Sequence, residues 1–202
     1  TSVDVLWAGI ERRWTQLQFE SPWIEERERR RTRGLVAGVS EYLRDFQRAG
    51  GRLLGSEGGF ELDLGRARIS GKIDRVEETP DGAVVIVDLK TGRTVPSAAE
   101  TASHAQLGAY QLALEHGAVE AGERPPGGAK LLFVAKGVRG KAYREVVQER
   151  VDEESLRRLE ERVAAAAEGM AGATFAGVVD LGDRDPHAAY GYRIHLVPAV
   201  SA

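Results

Sequence analysis

The chain has 202 residues, 42% of them hydrophobic and 29% charged, a balance that suits a globular protein and excludes a disordered or fibrous one. It contains no cysteine, which excludes disulfides, thiolate metal sites, cysteine nucleophiles and any iron–sulfur cluster held by this chain. The net charge of −3 is not that of a free-standing DNA binder, and no apolar run approaches the ~18 residues that span a membrane, so no membrane partner is expected and any nucleic-acid contact needs a local patch or a partner's surface.

Thr1-Ser2-Val3-Asp4 is neither a charged n-region nor a signal peptide, and there is no initiator methionine. We therefore expect an excised domain or a trimmed chain, and the absence of cysteine suits a cytoplasmic protein. Val3, Leu6, Trp7, Ile10, Trp14 and Leu17 recur at three- and four-residue spacing and predict a helix over 3–18. Ser21-Pro22 reads as a cap with Pro at the first helical position, opening a long second helix that runs to about Gln47, with Leu35, Val36, Val39, Leu43 and Phe46 facing inward. Its first half is a charge run, Glu25 to Arg31. Two readings stay open for it: a solvated face laced with ion pairs, or a phosphate-contacting ridge.

Gly50-Gly51 ends the helical pattern, and the period changes to two. Strands are predicted near 52–64, 67–78 and 83–89, with turns at Gly65 and Pro80-Asp81-Gly82. Val84-Val85-Ile86-Val87 is apolar on both faces, which predicts a central strand covered on both sides. A helix follows at about 98–116, then a glycine- and proline-rich loop at 122–128. Strands are expected at about 129–136 and 142–150, with a turn at Gly137–Gly140, and a helix capped by Asp152 over 153–169. The tail from Gly172 has no clear period. This order gives one mixed α/β domain: N-terminal helices 1–49, a core 50–150, and a C-terminal helix and tail 151–202.

Only five of the 28 basic residues are Lys, and only ten of the 31 acidic residues are Asp, so a clustered Lys and Asp in this chain point weakly to chemistry. Such a cluster occurs in Gly71-Lys72-Ile73-Asp74-Arg75 and Val87-Asp88-Leu89-Lys90-Thr91-Gly92. Asp88 and Lys90, two apart, leave the same face of a strand end. The turn at 80–82 can bring Asp74 beside Asp88. Two carboxylates so placed repel unless they share a cation, and a hard divalent ion, Mg²⁺ or Mn²⁺, meets that need. Lys90 could then position a water or neutralise charge on phosphorus, which suits phosphodiester hydrolysis. The bland alternative is a solvated Asp–Lys pair ending a strand.

Gly-x-Ile-Asp-Arg over 71–75, Ile-Val-Asp-x-Lys-Thr-Gly over 86–92 and Gln106-x-x-x-Tyr110 together resemble the RecB-type branch of the PD-(D/E)XK nuclease superfamily, most strongly over about 50–116. The resemblance implies a restriction-endonuclease-like mixed sheet flanked by helices. It implies that Asp74 and Asp88 are metal ligands for Mg²⁺ or Mn²⁺ and that Lys90 is the catalytic lysine. Glu57 matches the family's upstream acid, as ligand or catalytic group, and Gln106 and Tyr110 match its Q-x-x-x-Y helix. At i and i+4, Gln106 and Tyr110 share one helix face and could both point at the metal site or the DNA backbone; packing with a bonded Tyr hydroxyl is the other reading. His104, two residues before Gln106, points away from that face and reads as structural.

The chain departs from the family pattern twice. Many relatives carry a metal-binding His on the long helix ahead of the strands; residues 23–49 contain none, and the position falls near Gly38 to Ser40. Iron–sulfur members end in a spaced set of cysteines, where this tail has His187, Tyr190 and Leu196 at the same spacing. No cluster is expected, the tail being packed by Tyr190, Tyr192 and Leu196, and His187 and His195 read as ordinary residues rather than zinc ligands. What the resemblance implies is a metal-dependent deoxyribonuclease, an exonuclease giving 5′-phosphate ends. It would be the nuclease module of a RecB/AddB/AdnB-like helicase–nuclease that processes DNA ends for recombinational repair. Its partners would be single-stranded or unwound DNA and helicase motor domains, in the same chain or a partner subunit, in the bacterial cytoplasm or nucleoid. The alternatives are a degenerate nuclease fold that only binds DNA or a partner protein, and a stand-alone single-strand exonuclease.

Overall fold

A computed structural model describes residues 2–172. The readings made on His187, Tyr190, Tyr192, His195 and Leu196 fall outside the described residues. The elements run α1 (Val3–Trp14), α2 (Pro22–Arg48), β1 (Arg52–Leu64), β2 (Ala67–Glu78), β3 (Val84–Lys90), α3 (Ala98–Ala102), α4 (Ala105–Glu115), β4 (Pro126–Phe133), β5 (Arg144–Gln148) and α5 (Glu153–Ala171). The five strands form one sheet in the order β1-β2-β3-β4-β5. Neighbours are antiparallel except β3 and β4, which are parallel. The parallel pair needs a crossover, and α3 and α4 supply it.

The central strand is β3, as its two-sided apolar run requires, and Val84, Val85, Ile86 and Val87 are all buried. Val84 and Ile86 join Leu131, Phe133, Leu107, Ala113 and Leu114 in a core beneath α4. Val85 and Val87 face the other way, into a core with Leu132, Val134, Tyr42, Val39 and Leu43 beneath α2. Helix α1 lies outside α2, where Trp7, Trp14 and Val36 form a third cluster. Among the described residues no helix is long and apolar enough to cross a membrane.

The long helix approaches the sheet closely at Gly38. A Cβ there would sit 2.6 Å from the Val134 carbonyl oxygen and 2.9 Å from that of Ala142, both backbone atoms that cannot swing aside. Across this interface Glu77 is buried, at 1% exposure. It accepts hydrogen bonds from the Tyr42 hydroxyl and, at 2.8 Å, from Arg75 Nε, and it pairs with Lys130 Nζ at 3.4 Å. Burial, reinforced by the Glu77 charge, pushes the Tyr42 phenol far above its ordinary range, so it stays a donor. A buried acid with three donors is satisfied; with none it would not be tolerated.

Three local expectations are corrected. The first helix, expected over 3–18, ends at Trp14. Ser21 stands at the start of α2, but its hydroxyl makes no capping bond. The helix expected over 98–116 is two helices: Ser97 and Glu100 form a capping box for α3, and His104 starts α4 by accepting the Leu107 N–H at Nδ1, 3.4 Å away. Gln148, buried on β5, donates to the carbonyls of Thr101, Ala102 and His104 and so satisfies the break. Asp152 does cap α5, accepting the Ser155 N–H at 2.8 Å.

Candidate active site

The β2–β3 ladder runs through Arg75↔Val87, and one step beyond it Asp74 and Asp88 face each other. The β1–β2 ladder sets Ser56 against Arg75 and Gly58 against Ile73, so Glu57 stands opposite Asp74. The sheet register thus lines up Glu57, Asp74 and Asp88 in one row across three strands. The row is local in origin: it needs only the turn at Gly65, the turn at Gly82 (φ +87°) and no slip between them.

Asp88 is the centre of the arrangement. It is 4% exposed, at the end of the apolar β3 run. Its Oδ1 accepts from Gln106 Nε2 at 2.7 Å and lies 3.2 Å from the Tyr110 hydroxyl. Its Oδ2 lies 2.7 Å from Lys90 Nζ. Oδ2 is thus a buried oxygen with a charge partner but no aligned hydrogen bond. Lys90 Nζ also donates to Gln106 Oε1 at 3.0 Å. Gln106 therefore bridges the pair, its carbonyl on the lysine and its amide on the aspartate, which is the amide orientation that suits both charges.

Tyr110 lies one turn along α4 and takes a hydrogen bond from Gln106 Nε2 at 2.8 Å. Its single proton goes either to Asp88 or to the Lys72 carbonyl, 3.2 Å away. Burial pushes the phenol up to about 12; the Gln106 bond pulls the other way, and the Asp88 charge adds to the rise. It remains a neutral donor at any working pH. Gln106 and Tyr110 reach one target because residues four apart share a helix face.

Asp74 is held differently. Its Oδ2 accepts the backbone N–H of Leu89 at 2.7 Å. Nothing in the residue pattern signals this anchor, because every residue type but proline supplies an N–H at position 89. Glu57 is exposed, and its backbone is left-handed, φ +56°. Its carboxylate pairs with Lys72, whose ammonium is held above its ordinary range first by that hydrogen bond. The structure so gathers Asp74, Asp88, Lys90, Gln106 and Tyr110 and leaves Glu57 turned to Lys72. Among the described residues no three His, Asp or Glu side chains are grouped as a ready metal cage.

His104 sits outside the site as the start of α4, in keeping with a structural role. The position near Gly38 to Ser40 offers no room for a large side chain at 38, and Ser40 is fully buried. The charge run of α2 splits by face. Arg29 and Arg33 lie over Trp14 and Trp7 of α1, at 5.6 and 4.6 Å from the ring centroids; Arg29 is half-buried there, and Arg33, like Arg27, Arg30 and Arg31, is exposed.

A mixed five-stranded sheet between helices, with Asp on one strand and Asp-x-Lys ending the next, defines a class of phosphodiester-cleaving folds. The family model of the PD-(D/E)XK nuclease superfamily matches residues 2–179, and the chain belongs to that superfamily. Its fold is accordingly restriction-endonuclease-like. Members of this superfamily generally use divalent metals. No curated protein matches the chain.

Proposed function

We propose that this chain is a Mg²⁺- or Mn²⁺-dependent deoxyribonuclease module with Asp74 and Asp88 as metal ligands. The observation that carries the reading is the Asp88–Gln106–Lys90 bridge opposite Asp74: a buried carboxylate with one oxygen lacking an aligned hydrogen bond, beside a second carboxylate and a fixed cation. That donor set fits a hard divalent ion, all oxygen and partly exposed for water and phosphate. When bound, such an ion supplies Lewis-acid polarisation of a phosphoryl oxygen and a more acidic water.

The chain's own groups do the rest. Lys90 sets positive charge where negative charge grows on the phosphoryl oxygens during in-line attack. Gln106 fixes the spacing between Lys90 and Asp88, so neither has to reorganise as the reaction proceeds. Tyr110 keeps Asp88 in one rotamer, and the Leu89 N–H does the same for Asp74. Glu57, paired with Lys72 across β1 and β2, stands in register to join the row as ligand or catalytic group.

The RecB-type motif set over 71–110 supports a finer reading: an exonuclease that works on unwound ends beside a helicase motor, leaving 5′-phosphates. The Gly38 contact and the two-carboxylate grouping favour a second reading, a fold that binds DNA without cutting it. Titration calorimetry with Mn²⁺, and cleavage of labelled single strands, decide between them. Modest Mn²⁺ affinity that disappears in Asp88→Ala, together with cleavage, is the expected result; metal binding unchanged by that substitution would overturn the ligand assignment, and DNA binding without any cleavage would establish the second reading.

A further inference from the structure

Helix α2 carries an exposed stripe that the active site does not use. Trp23, Arg27, Arg30, Arg31 and Gly34 fall within about 100° of one another around the helix and span about 16 Å of its length. Glu26 and Glu28 lie on either side of the stripe rather than in it. Trp23 is 65% exposed, while Trp7 and Trp14 are buried. Arg27 lies over the Trp23 ring, 5.5 Å from its centroid. Among the described residues, the ion pairs of Arg30 and Arg31 are open surface ones, at 4.0 Å to Glu26 and 3.4 Å to Glu28, of a kind easily exchanged for phosphate.

The stripe ends in a cleft of about 460 Å³ whose walls include Arg30, Arg31 and Gly34 on one side and Thr91, Gly92 and Arg93 on the other. Those last three residues follow Lys90 directly. The Lys90 carbonyl accepts the Val134 N–H, so the cleft is built on the shared end of β3 and β4. Asp88 and Lys90 face α4, and the cleft faces α2; the turn at 91–93 joins the two across the tip of the sheet.

We propose that this stripe and cleft bind single-stranded DNA, with a base stacked on Trp23 and successive phosphates on Arg30, Arg31 and Arg93, and that the strand reaches Lys90 over the turn at Thr91–Arg93. The inference rests on the nuclease reading of Asp88 and Lys90 and adds the surface that holds the strand and its path to the site. An exposed indole among arginines matches an unstacked base followed by phosphates; in a duplex the base faces are already covered by their neighbours. Arg29, the remaining arginine of the run, lies over Trp14 and pairs with Glu11 of α1, whereas the arginines of the stripe have, among the described residues, open surface pairs within α2.

The test is binding of a labelled oligothymidylate to the full chain without metal, followed by anisotropy and by tryptophan fluorescence. Binding is expected to quench the fluorescence, since the exposed indole is the one within reach. Trp23→Ala is expected to abolish the quenching and weaken affinity about tenfold. Joint replacement of Arg30, Arg31 and Arg93 by Ala is expected to lower the salt slope by about two. All four side chains are exposed, and unchanged thermal melting of the variants verifies their folding. Unchanged affinity in both variants, or duplex binding as tight as single-strand binding, overturns the proposal. Because no metal is present, the result is separable from catalysis: a chain that binds through the stripe and cuts nothing overturns the nuclease reading alone, and one that cuts but binds unaltered after substitution overturns the stripe alone.

Discussion

At Lys90, one half-buried ammonium meets Asp88 and Gln106 of the site among the described residues, so its loss is read first in the chemistry. Lys90→Ala is expected to lower the single-turnover cleavage rate by at least about a hundredfold while DNA affinity stays within a few-fold; equal loss of both would make Lys90 a phosphate clamp. Tyr110 gives a complementary case. Its phenol, raised to about 12, stays protonated throughout the range of an ordinary assay. Tyr110→Phe is therefore expected to leave the shape of the pH–rate profile unchanged between about pH 6 and 10, while costing about 1 kcal/mol of stability through its lost hydrogen bonds. Disappearance of a basic limb in the variant would show that the phenol takes part in proton transfer. The meeting of Asp88, Lys90 and Asp74 was legible from a two-residue spacing and a tight turn. The Gln106 bridge was legible only through the family pattern, since the contact spans 16 residues and leaves no local signature.

Elements show where local sequence is a good guide and where it is not. The two-sided apolar run of β3 was readable because burial on both faces removes all polar alternation. The break at Ser103-His104 was not, because its orphan carbonyls are satisfied by Gln148, far along the chain. The face pattern of α2 was clear, but nothing in it told which arginines α1 would cover. Gly38 entered the sequence reading only as lying near the position of the absent His, yet it is where α2 touches the backbone of Val134 and Ala142. Gly38→Ala is expected to cost about 1–3 kcal/mol in urea unfolding, and Gly38→His more, without creating a metal site; a stable Gly38→His variant with tighter Mn²⁺ binding would refute this. Glu77 couples the same helix to the sheet. Glu77→Ala leaves Arg75 and Lys130 without their buried acid, and a loss of roughly 3–5 kcal/mol is expected. A loss below about 1 kcal/mol would mean that water replaces the acid easily.

For the whole molecule, surface carboxylates set the acid limit. Asp45 is held below its ordinary 3.8 first by Lys141, Asp63 by Arg68 and Asp152 by Ser155, and Glu78 is held below 4.5 first by Arg52. A depressed carboxylate binds its proton more weakly folded than unfolded, so its contribution is complete above the ordinary value and is lost as pH falls through the lowered one. Thermal melting is therefore expected to be level near neutrality and to drop below about pH 4.5. Asp45→Asn should flatten part of that drop, since Asp45 ties α2 to the Lys141–Tyr143 hairpin. A melting temperature indifferent to acid would contradict this.

The register row of acids also has a consequence in time. Asp74 meets Leu89 across 15 residues of chain, and Lys90 meets Gln106 across 16, whereas Glu41 of α2 reaches the Ala142 N–H across 101. Short closures cost less entropy, so they form earlier along the route to the native state. Substitution of Val76 in the β2–β3 hairpin is then expected mainly to slow refolding, and substitution of Val39 on α2 mainly to hasten unfolding. The carboxylates would be brought face to face while the long helix is still undocked, so their mutual repulsion would add to the barrier; under the proposed metal assignment, millimolar Mg²⁺ in the refolding buffer is expected to speed the reaction in the native chain but not in Asp88→Asn.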